Sequence, residues 1–144
     1  MIPEPAQIVH ASAVAHSGRG VLIRGASGSG KSALALALLA RECALIADDR
    51  TALRRGAERV MAWAPDAIMG RIEARGIGIL TATPAPPTPL SLVIDLDRAE
   101  PERLPPARET ELQGLTLPLL YGAGHPALAD AVLQFLKHPE RITG

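Results

Sequence analysis

One complete phosphate-loop pattern constrains the fold more than any other feature of this chain. Residues 25–32 read Gly-Ala-Ser-Gly-Ser-Gly-Lys-Ser, which matches G-x-x-x-x-G-K-[ST] at every position. The apolar run Gly20–Arg24 before it predicts a buried strand, and Ala33–Ala40 after it consists only of strong helix formers. A strand, a glycine-rich loop and a helix in this order indicate a site whose backbone N–H groups surround phosphate oxygens.

The residue types in this loop predict ATP or GTP with Mg²⁺ as ligands. Glycines let successive amides turn towards phosphate, and the start of the following helix adds its positive dipole end. The Lys31 ammonium is expected on the β- and γ-phosphates, and the Ser32 hydroxyl on Mg²⁺. The predicted nucleotide-binding residues are Gly25, Ala26, Ser27, Gly28, Ser29, Gly30, Lys31 and Ser32.

The remaining segments predict an α/β fold, a single domain over residues 1–144 with a central mixed sheet flanked by helices. Further strands are expected at Gln7–Ala15, Ala44–Ala47, Thr51–Arg54, Val60–Ala64, Gly76–Leu80 and Leu90–Leu96. Helices are expected at Ala127–Lys137 and, as a short piece, within Pro65–Ala74. The proline-rich segments Thr83–Pro89 and Pro101–Pro106 are predicted to be loops.

Composition argues against several classes of protein. The 15 basic residues balance the 15 acidic ones, and aromatic residues make up 2%, so nucleic-acid binding through excess charge or base stacking is not expected. The lone Cys43 has no partner for an internal disulfide, which favours a reducing compartment. No apolar stretch is long enough to cross a bilayer, and no secretory signal is visible. These features predict a cytoplasmic protein without membrane insertion.

Two adjacent carboxylates stand where an open α/β sheet collects its ligands. Asp48 and Asp49 follow the apolar run Ala44–Ala47, near the end of the strand after the loop's helix. Two carboxylates allow one to serve near the metal while the other accepts a proton from an attacking hydroxyl. The alternative is that one of the pair is a turn or cap residue.

Several short segments, taken together, resemble the catalytic half of the HPr kinase/phosphorylase family. His10 lies fifteen residues before Gly25, as a histidine does in that family. Residues 46–50 read Ile-Ala-Asp-Asp-Arg, residues 64–68 read Ala-Pro-Asp-Ala-Ile, and residues 73–79 read Glu-Ala-Arg-Gly-Ile-Gly-Ile, each like a family motif. The resemblance extends from about Ile8 to Leu80.

The resemblance implies a protein kinase that transfers phosphate from ATP to a serine of the phosphocarrier protein HPr. Family members also run the reverse reaction, in which inorganic phosphate removes the group and pyrophosphate forms. Lys31 would hold the phosphates, and Ser32 and Glu73 would help to bind Mg²⁺. One of Asp48 and Asp49 would be the base, with Asp49 favoured.

His10 would then lie near the acid pair and tune its protonation. The chain also departs from the family pattern, since Ala26 stands where an aspartate is common and Thr83–Pro89 replaces a Phe-Gly-Ala-Gly loop. Residues 121–125 lack the arginine of a late basic motif, and Arg50 and Arg75 are alternative candidates to supply charge to the transferring group. The chain begins where the catalytic half begins, which resembles the alphaproteobacterial short form without an N-terminal regulatory domain.

Two other functions remain open from the sequence. A small-molecule kinase would use the same loop with a dedicated basic pocket for its acceptor. A regulatory module would bind ATP without transferring its phosphate, and would need no proton acceptor. Self-association is also left open.

Overall fold

The computed structural model describes residues 5–140, which form a mixed sheet with helices on one face. The strands are β1 (Gln7–Val9), β2 (Ala11–His16), β3 (Arg19–Arg24), β4 (Ala44–Ala47), β5 (Thr51–Arg55), β6 (Val60–Trp63), β7 (Arg71–Ala74), β8 (Gly78–Thr81), β9 (Thr88–Asp95), β10 (Glu109–Leu112) and β11 (Leu115–Tyr121). The α-helices are α1 (Lys31–Leu39) and α2 (Leu128–Lys137), and Asp66–Ile68 form one turn of 3₁₀ helix.

The main sheet runs in the order β1-β5-β6-β9-β3-β2-β4, and β11 pairs with β9 and carries β10. Strands β3, β9 and β11 are parallel, and their registers align Arg24 and Tyr121 with Asp95. The carboxyl ends of these three strands therefore meet at one edge of the sheet. Strand β2 is antiparallel to both β3 and β4, so its first residues lie at that same edge.

The alternation of side chains along the strands divides the core between the two faces of the sheet. On one face Val21 and Ile23 of β3 pack with Leu34 and Leu38 of α1, together with α2. On the other face Leu22 packs with residues of the remaining strands, among them Leu53, Val60, Ala62, Leu117 and Leu119. The sheet is thus buried on both sides.

The small hairpin β7–β8 packs against α1 outside the main sheet. Its inner face holds Ile72 and Ala74, which are buried, and its outer face holds Glu73 opposite Ile79. Within residues 5–140 no helix is long and apolar enough to span a membrane.

The structure confirms the α/β class and the mixed sheet, and it changes the bounds of several expected elements. The expected strand Gln7–Ala15 is two strands separated at His10. The short helix expected within Pro65–Ala74 is the 3₁₀ turn Asp66–Ile68, and the rest of that segment includes β7. Thr83–Pro89 is not all loop, because β9 begins at Thr88 and Thr88 and Pro89 pair with β6. Pro89 is tolerated because it lies at the start of its strand.

Candidate active site

The glycine-rich loop, residues 25–32, connects the end of β3 to the start of α1, as its sequence predicts. Gly28 and Gly30 have φ values of 84° and 101°, in the left-handed region that favours glycine. A Cβ at Gly25 would lie 2.5 Å from Ser29 Oγ, so a side chain there would force the Ser29 side chain to move. The glycines are therefore required by the shape of the loop itself.

The Lys31 side chain folds back over the loop that precedes it. Its Nζ donates hydrogen bonds to the carbonyl oxygens of Gly25 at 2.9 Å and Ala26 at 3.2 Å. The residue is buried, with 6% of its surface exposed. The ammonium is thus held within the loop, beside the first residues of α1.

Asp48 is a buried carboxylate whose two oxygens both accept hydrogen bonds. Oδ1 accepts from Ser32 Oγ at 2.6 Å and from Ser12 Oγ at 2.9 Å, and Oδ2 accepts from the Glu73 backbone N–H at 3.0 Å. One carboxylate thereby joins the phosphate loop, β2 and the β7–β8 hairpin. This arrangement fixes Asp48 beside the hydroxyl that the sequence assigns to Mg²⁺.

Asp49 has the opposite environment, although it is the next residue. Its φ is 68°, and the Arg50 N–H donates to the Asp48 carbonyl oxygen at 2.8 Å, the i→i+2 bond of a γ-turn. The turn directs the Asp49 carboxylate away from the core, where 57% of the side chain is exposed. A strained, exposed carboxylate at a strand end is typical of a functional position.

His10 and Asp49 are in contact across the sheet edge, with His10 Nε2 2.5 Å from Asp49 Oδ1. The topology explains the contact, since His10 immediately precedes β2 and Asp49 follows β4, the antiparallel neighbour of β2. The Asp49 N–H also donates to Ser12 Oγ at 3.0 Å. Asp49 is therefore held at both its backbone and its side chain.

These side chains surround a cavity of about 450 Å³. Most of the residues predicted for the site line it, namely His10, Ser27, Gly28, Gly30, Lys31, Ser32, Asp48, Asp49 and Glu73. Gly25, Ala26 and Ser29 belong to the loop but are not among its lining residues. Arg75 also lines the cavity, and its Nη1 would lie 3.9 Å from a Cβ at Gly28 if that residue had a side chain.

A second, smaller cavity of about 280 Å³ borders the same acidic residues. Asp48, Asp49 and Glu73 line both cavities, so these residues form the boundary between them. Arg50 and Arg71 line the second cavity, together with Ile68, Ile72 and Ile79. Groups in the two cavities can therefore approach Asp49 from different sides.

The residues of the first cavity fit Mg²⁺ bound together with a nucleotide. Within residues 5–140 no group of three or more His, Cys, Asp and Glu could hold a metal ion alone. The side-chain oxygen donors among its lining residues are the hydroxyls of Ser27 and Ser32 and the carboxylates of Asp48, Asp49 and Glu73, of which Ser32, Asp48 and Glu73 are the ones expected near the metal. Mg²⁺ prefers few protein oxygens, completing its shell with water and substrate phosphates, so this donor set suits it.

Sequence reasoning missed Ser12, which is fully buried and contacts both aspartates. Its signal is a polar residue within the otherwise apolar run 11–15, Ala-Ser-Ala-Val-Ala. It also missed Asp97, whose carboxylate accepts from the Ala26 N–H. Its signal is a carboxylate just beyond a strand that is parallel to β3.

Comparison with known proteins gives consistent matches. The family model described as HPr Serine kinase C-terminal domain matches residues 4–104. The HPr kinase/phosphorylase of Geobacillus thermodenitrificans is 39% identical over 107 residues, which cover 69% of this chain and 35% of that protein. That of Limosilactobacillus reuteri is 36% identical over 127 residues, covering 79% and 40% respectively.

A solved structure agrees over most of the fold. The Hpr(Ser) kinase/phosphatase from Coxiella burnetii matches with a TM-score of 0.75 and 25% identity, covering 92% of this chain and 95% of that chain. The alignments with the two curated relatives span 35% and 40% of their lengths. Because the family model covers more than half of the sequence, the chain belongs to the HPr serine kinase C-terminal domain family.

Proposed function

We propose that this chain is an ATP-dependent serine kinase that phosphorylates the phosphocarrier protein HPr. The observation that carries the proposal is the difference in environment between Asp48 and Asp49. Asp48 is buried beside the phosphate loop and accepts three hydrogen bonds, whereas Asp49 is exposed between two cavities. In this proposal Asp48 serves the metal side and Asp49 accepts the proton of an incoming hydroxyl.

In this proposal the first cavity binds the nucleotide. Loop amides and Lys31 surround the phosphates, and the Arg75 guanidinium adds positive charge near the group that transfers. Ser32, Asp48 and Glu73 would hold Mg²⁺, which neutralises phosphate charge and orients the transferring group when bound. Phosphoryl transfer needs mainly such positioning and charge neutralisation.

The acceptor serine reaches Asp49 from the second cavity. The serine oxygen bonds to the γ-phosphorus, the bond from that phosphorus to the bridging oxygen breaks, and ADP leaves. The hydroxyl proton passes to the Asp49 carboxylate, which His10 holds in position.

A protein acceptor is favoured over a small polar metabolite by the surface around this entrance. Ile77 and Ile79 are 77% and 64% exposed beside the two cavities, and Arg50 and Arg71 stand at the second one. Exposed apolar side chains next to charged ones are typical of a surface that contacts another protein. A sensor without transfer activity would have no use for the exposed Asp49 carboxylate.

The test is to incubate the purified chain with Mg-ATP and HPr from the same organism, and to measure phosphoserine on HPr by mass spectrometry. We expect one phosphoryl group on wild-type HPr and none on an HPr variant whose acceptor serine is alanine. The Lys31→Ala variant should slow transfer by about 100-fold or more, since a phosphate contact is removed from the transition state. Tight ATP binding with unmodified HPr would contradict the proposal and favour the sensor.

A further inference from the structure

A single peptide group in the phosphate loop is held at both of its ends. The Ala26 N–H donates to both carboxylate oxygens of Asp97, at 3.0 and 3.1 Å. The Gly25 carbonyl accepts from Lys31 Nζ at 2.9 Å. That carbonyl and that N–H belong to the same peptide plane, so a continuous chain of hydrogen bonds runs from Asp97 to Lys31.

Asp97 is itself fixed by the end of β9. Its backbone N–H donates to Asp95 Oδ1 at 2.8 Å, and the Leu96 N–H donates to the Arg24 carbonyl at 2.9 Å. These bonds tie the turn after β9 to the last residue of β3, from which the phosphate loop starts. Asp97 therefore reaches the loop from a neighbouring parallel strand.

The physical consequence concerns the orientation of one carbonyl. A carboxylate on the N–H end polarises the peptide and strengthens its carbonyl as an acceptor. Without that partner, the Ala26 N–H turns to water and the peptide plane is free to rotate. The Gly25 carbonyl is then no longer held in the orientation that accepts from Lys31 Nζ, so the ammonium loses one of its two hydrogen-bond acceptors.

We propose that Asp97 is a positioning residue for Lys31, acting through the peptide between Gly25 and Ala26. Asp97 does not line the nucleotide cavity, so its effect is indirect. The inference goes beyond the proposed kinase activity. Only the expected effect of Asp97 on nucleotide binding rests on that activity. Its first test needs neither nucleotide nor HPr.

The first test uses the scarcity of amines in this chain, which has only two lysines, Lys31 and Lys137. An amine-acylating reagent is added to the ligand-free protein, and the two labelling rates are measured by peptide mass spectrometry. Lys137 is the internal reference. We expect Lys31 to be labelled several-fold faster in Asp97→Ala than in the unaltered chain, while Asp97→Asn stays within about twofold, because its amide oxygen still accepts the bond.

The matched control is Glu102→Ala, an exposed carboxylate on the same connection after β9. It should leave the Lys31 to Lys137 labelling ratio unchanged. Circular dichroism confirms that each variant is folded, and Asp97→Ser gives a second truncation should the alanine variant be unstable. The proposal would be overturned if the Lys31 to Lys137 labelling ratio were unchanged in a folded Asp97→Ala or Asp97→Ser variant. It would also be overturned if Asp97→Asn and Asp97→Ala changed the ratio equally.

The second test is the affinity for Mg-ATP, measured by calorimetry on the same variants. Asp97→Ala should weaken binding by about 3- to 10-fold, as expected for loss of one exposed, charge-assisted bond, and Asp97→Asn should restore most of it. Unweakened binding in Asp97→Ala contradicts the positioning role. Failure of the unaltered chain to bind Mg-ATP contradicts the kinase proposal instead, and the labelling result still decides the role of Asp97.

Discussion

At the scale of single residues, the site depends on two neighbouring aspartates that face opposite ways. The γ-turn at Asp49 reverses the chain within one residue, so Asp48 stays buried and Asp49 reaches the cavity. The sequence predicted that the pair would divide its work, and the family resemblance favoured Asp49 as the base, although the sequence itself does not separate the two. The contacts support that assignment, which remains a prediction until the variants are measured.

Ser12 joins the two aspartates, and its loss should affect both. In Ser12→Ala the Asp49 N–H loses its acceptor and Asp48 loses a donor, in a fully buried place. We expect the free energy of unfolding to fall by about 1–3 kcal/mol, measured by urea denaturation. Ser17→Ala, at an exposed serine beyond the end of β2, should change it by less than about 0.5 kcal/mol. Equal effects of the two changes would refute this role of Ser12.

The Glu100–Arg108 pair gives a prediction about pH. Hydrogen bonds from the Arg108 guanidinium at 2.7 and 2.8 Å lower the pKa of the Glu100 carboxyl. A carboxyl with a lowered pKa in the folded state stabilises the fold above its unfolded pKa, and this contribution disappears as the pH falls through the folded pKa. Glu100→Gln should therefore lower the melting temperature at about pH 7 and have a smaller effect at about pH 3. If the difference in melting temperature between Glu100→Gln and the unaltered chain grew towards acid pH, the stabilising role of the Glu100–Arg108 pair would be contradicted.

At the scale of elements, the β7–β8 hairpin places Glu73 and Arg75 only because its inner face is anchored to α1. Ile72 is 1% exposed on that inner face, whereas Ile79 is 64% exposed on the outer face. Ile72→Ala should lower the free energy of unfolding by about 2–4 kcal/mol, through lost burial and a cavity. Ile79→Ala should change it by less than about 0.5 kcal/mol. Similar denaturation midpoints for both variants would show that the hairpin is not anchored in this way.

The elements differ in how far the sequence could predict them. The motif and the helix formers after it predicted β3, the phosphate loop and α1 because local pattern and local structure coincide there. Strands β10 and β11 were not predicted, since Pro118 interrupts the apolar run and the pairing of β11 with β9 is non-local. The sequence likewise could not predict that Thr88 and Pro89 belong to a strand, because this depends on their pairing with β6.

At the scale of the whole molecule, strand order decides which residues meet. His10 and Asp49 are distant in sequence and adjacent only because β2 lies between β3 and β4. Asp97 reaches the phosphate loop because β9 is the other neighbour of β3. Family resemblance could suggest the contact between His10 and Asp49. The residue pattern alone could not predict the contact between Asp97 and the phosphate loop, because that contact requires the register of β9 against β3.

The binding of nucleotide should stabilise the entire fold, since the cavity joins the loop, the main sheet and the hairpin. Mg-ATP at about 100 times its Kd should raise the free energy of unfolding by about 2.7 kcal/mol, and the melting temperature by several degrees. Omitting Mg²⁺, or using Lys31→Ala, should remove most of this shift. A melting temperature that does not respond to Mg-ATP would contradict nucleotide binding at this site.

We propose that Asp49 accepts the proton while Asp48 serves the metal side. The most direct measurement is the single-turnover rate of phosphoserine formation on HPr by Asp49→Asn and Asp48→Asn, with the Kd for Mg-ATP determined for each. Asp49→Asn should bind Mg-ATP within about threefold of the unaltered chain and transfer phosphate about 10²- to 10⁴-fold more slowly, whereas Asp48→Asn should also require more Mg²⁺. Transfer at an undiminished rate by Asp49→Asn would contradict the account.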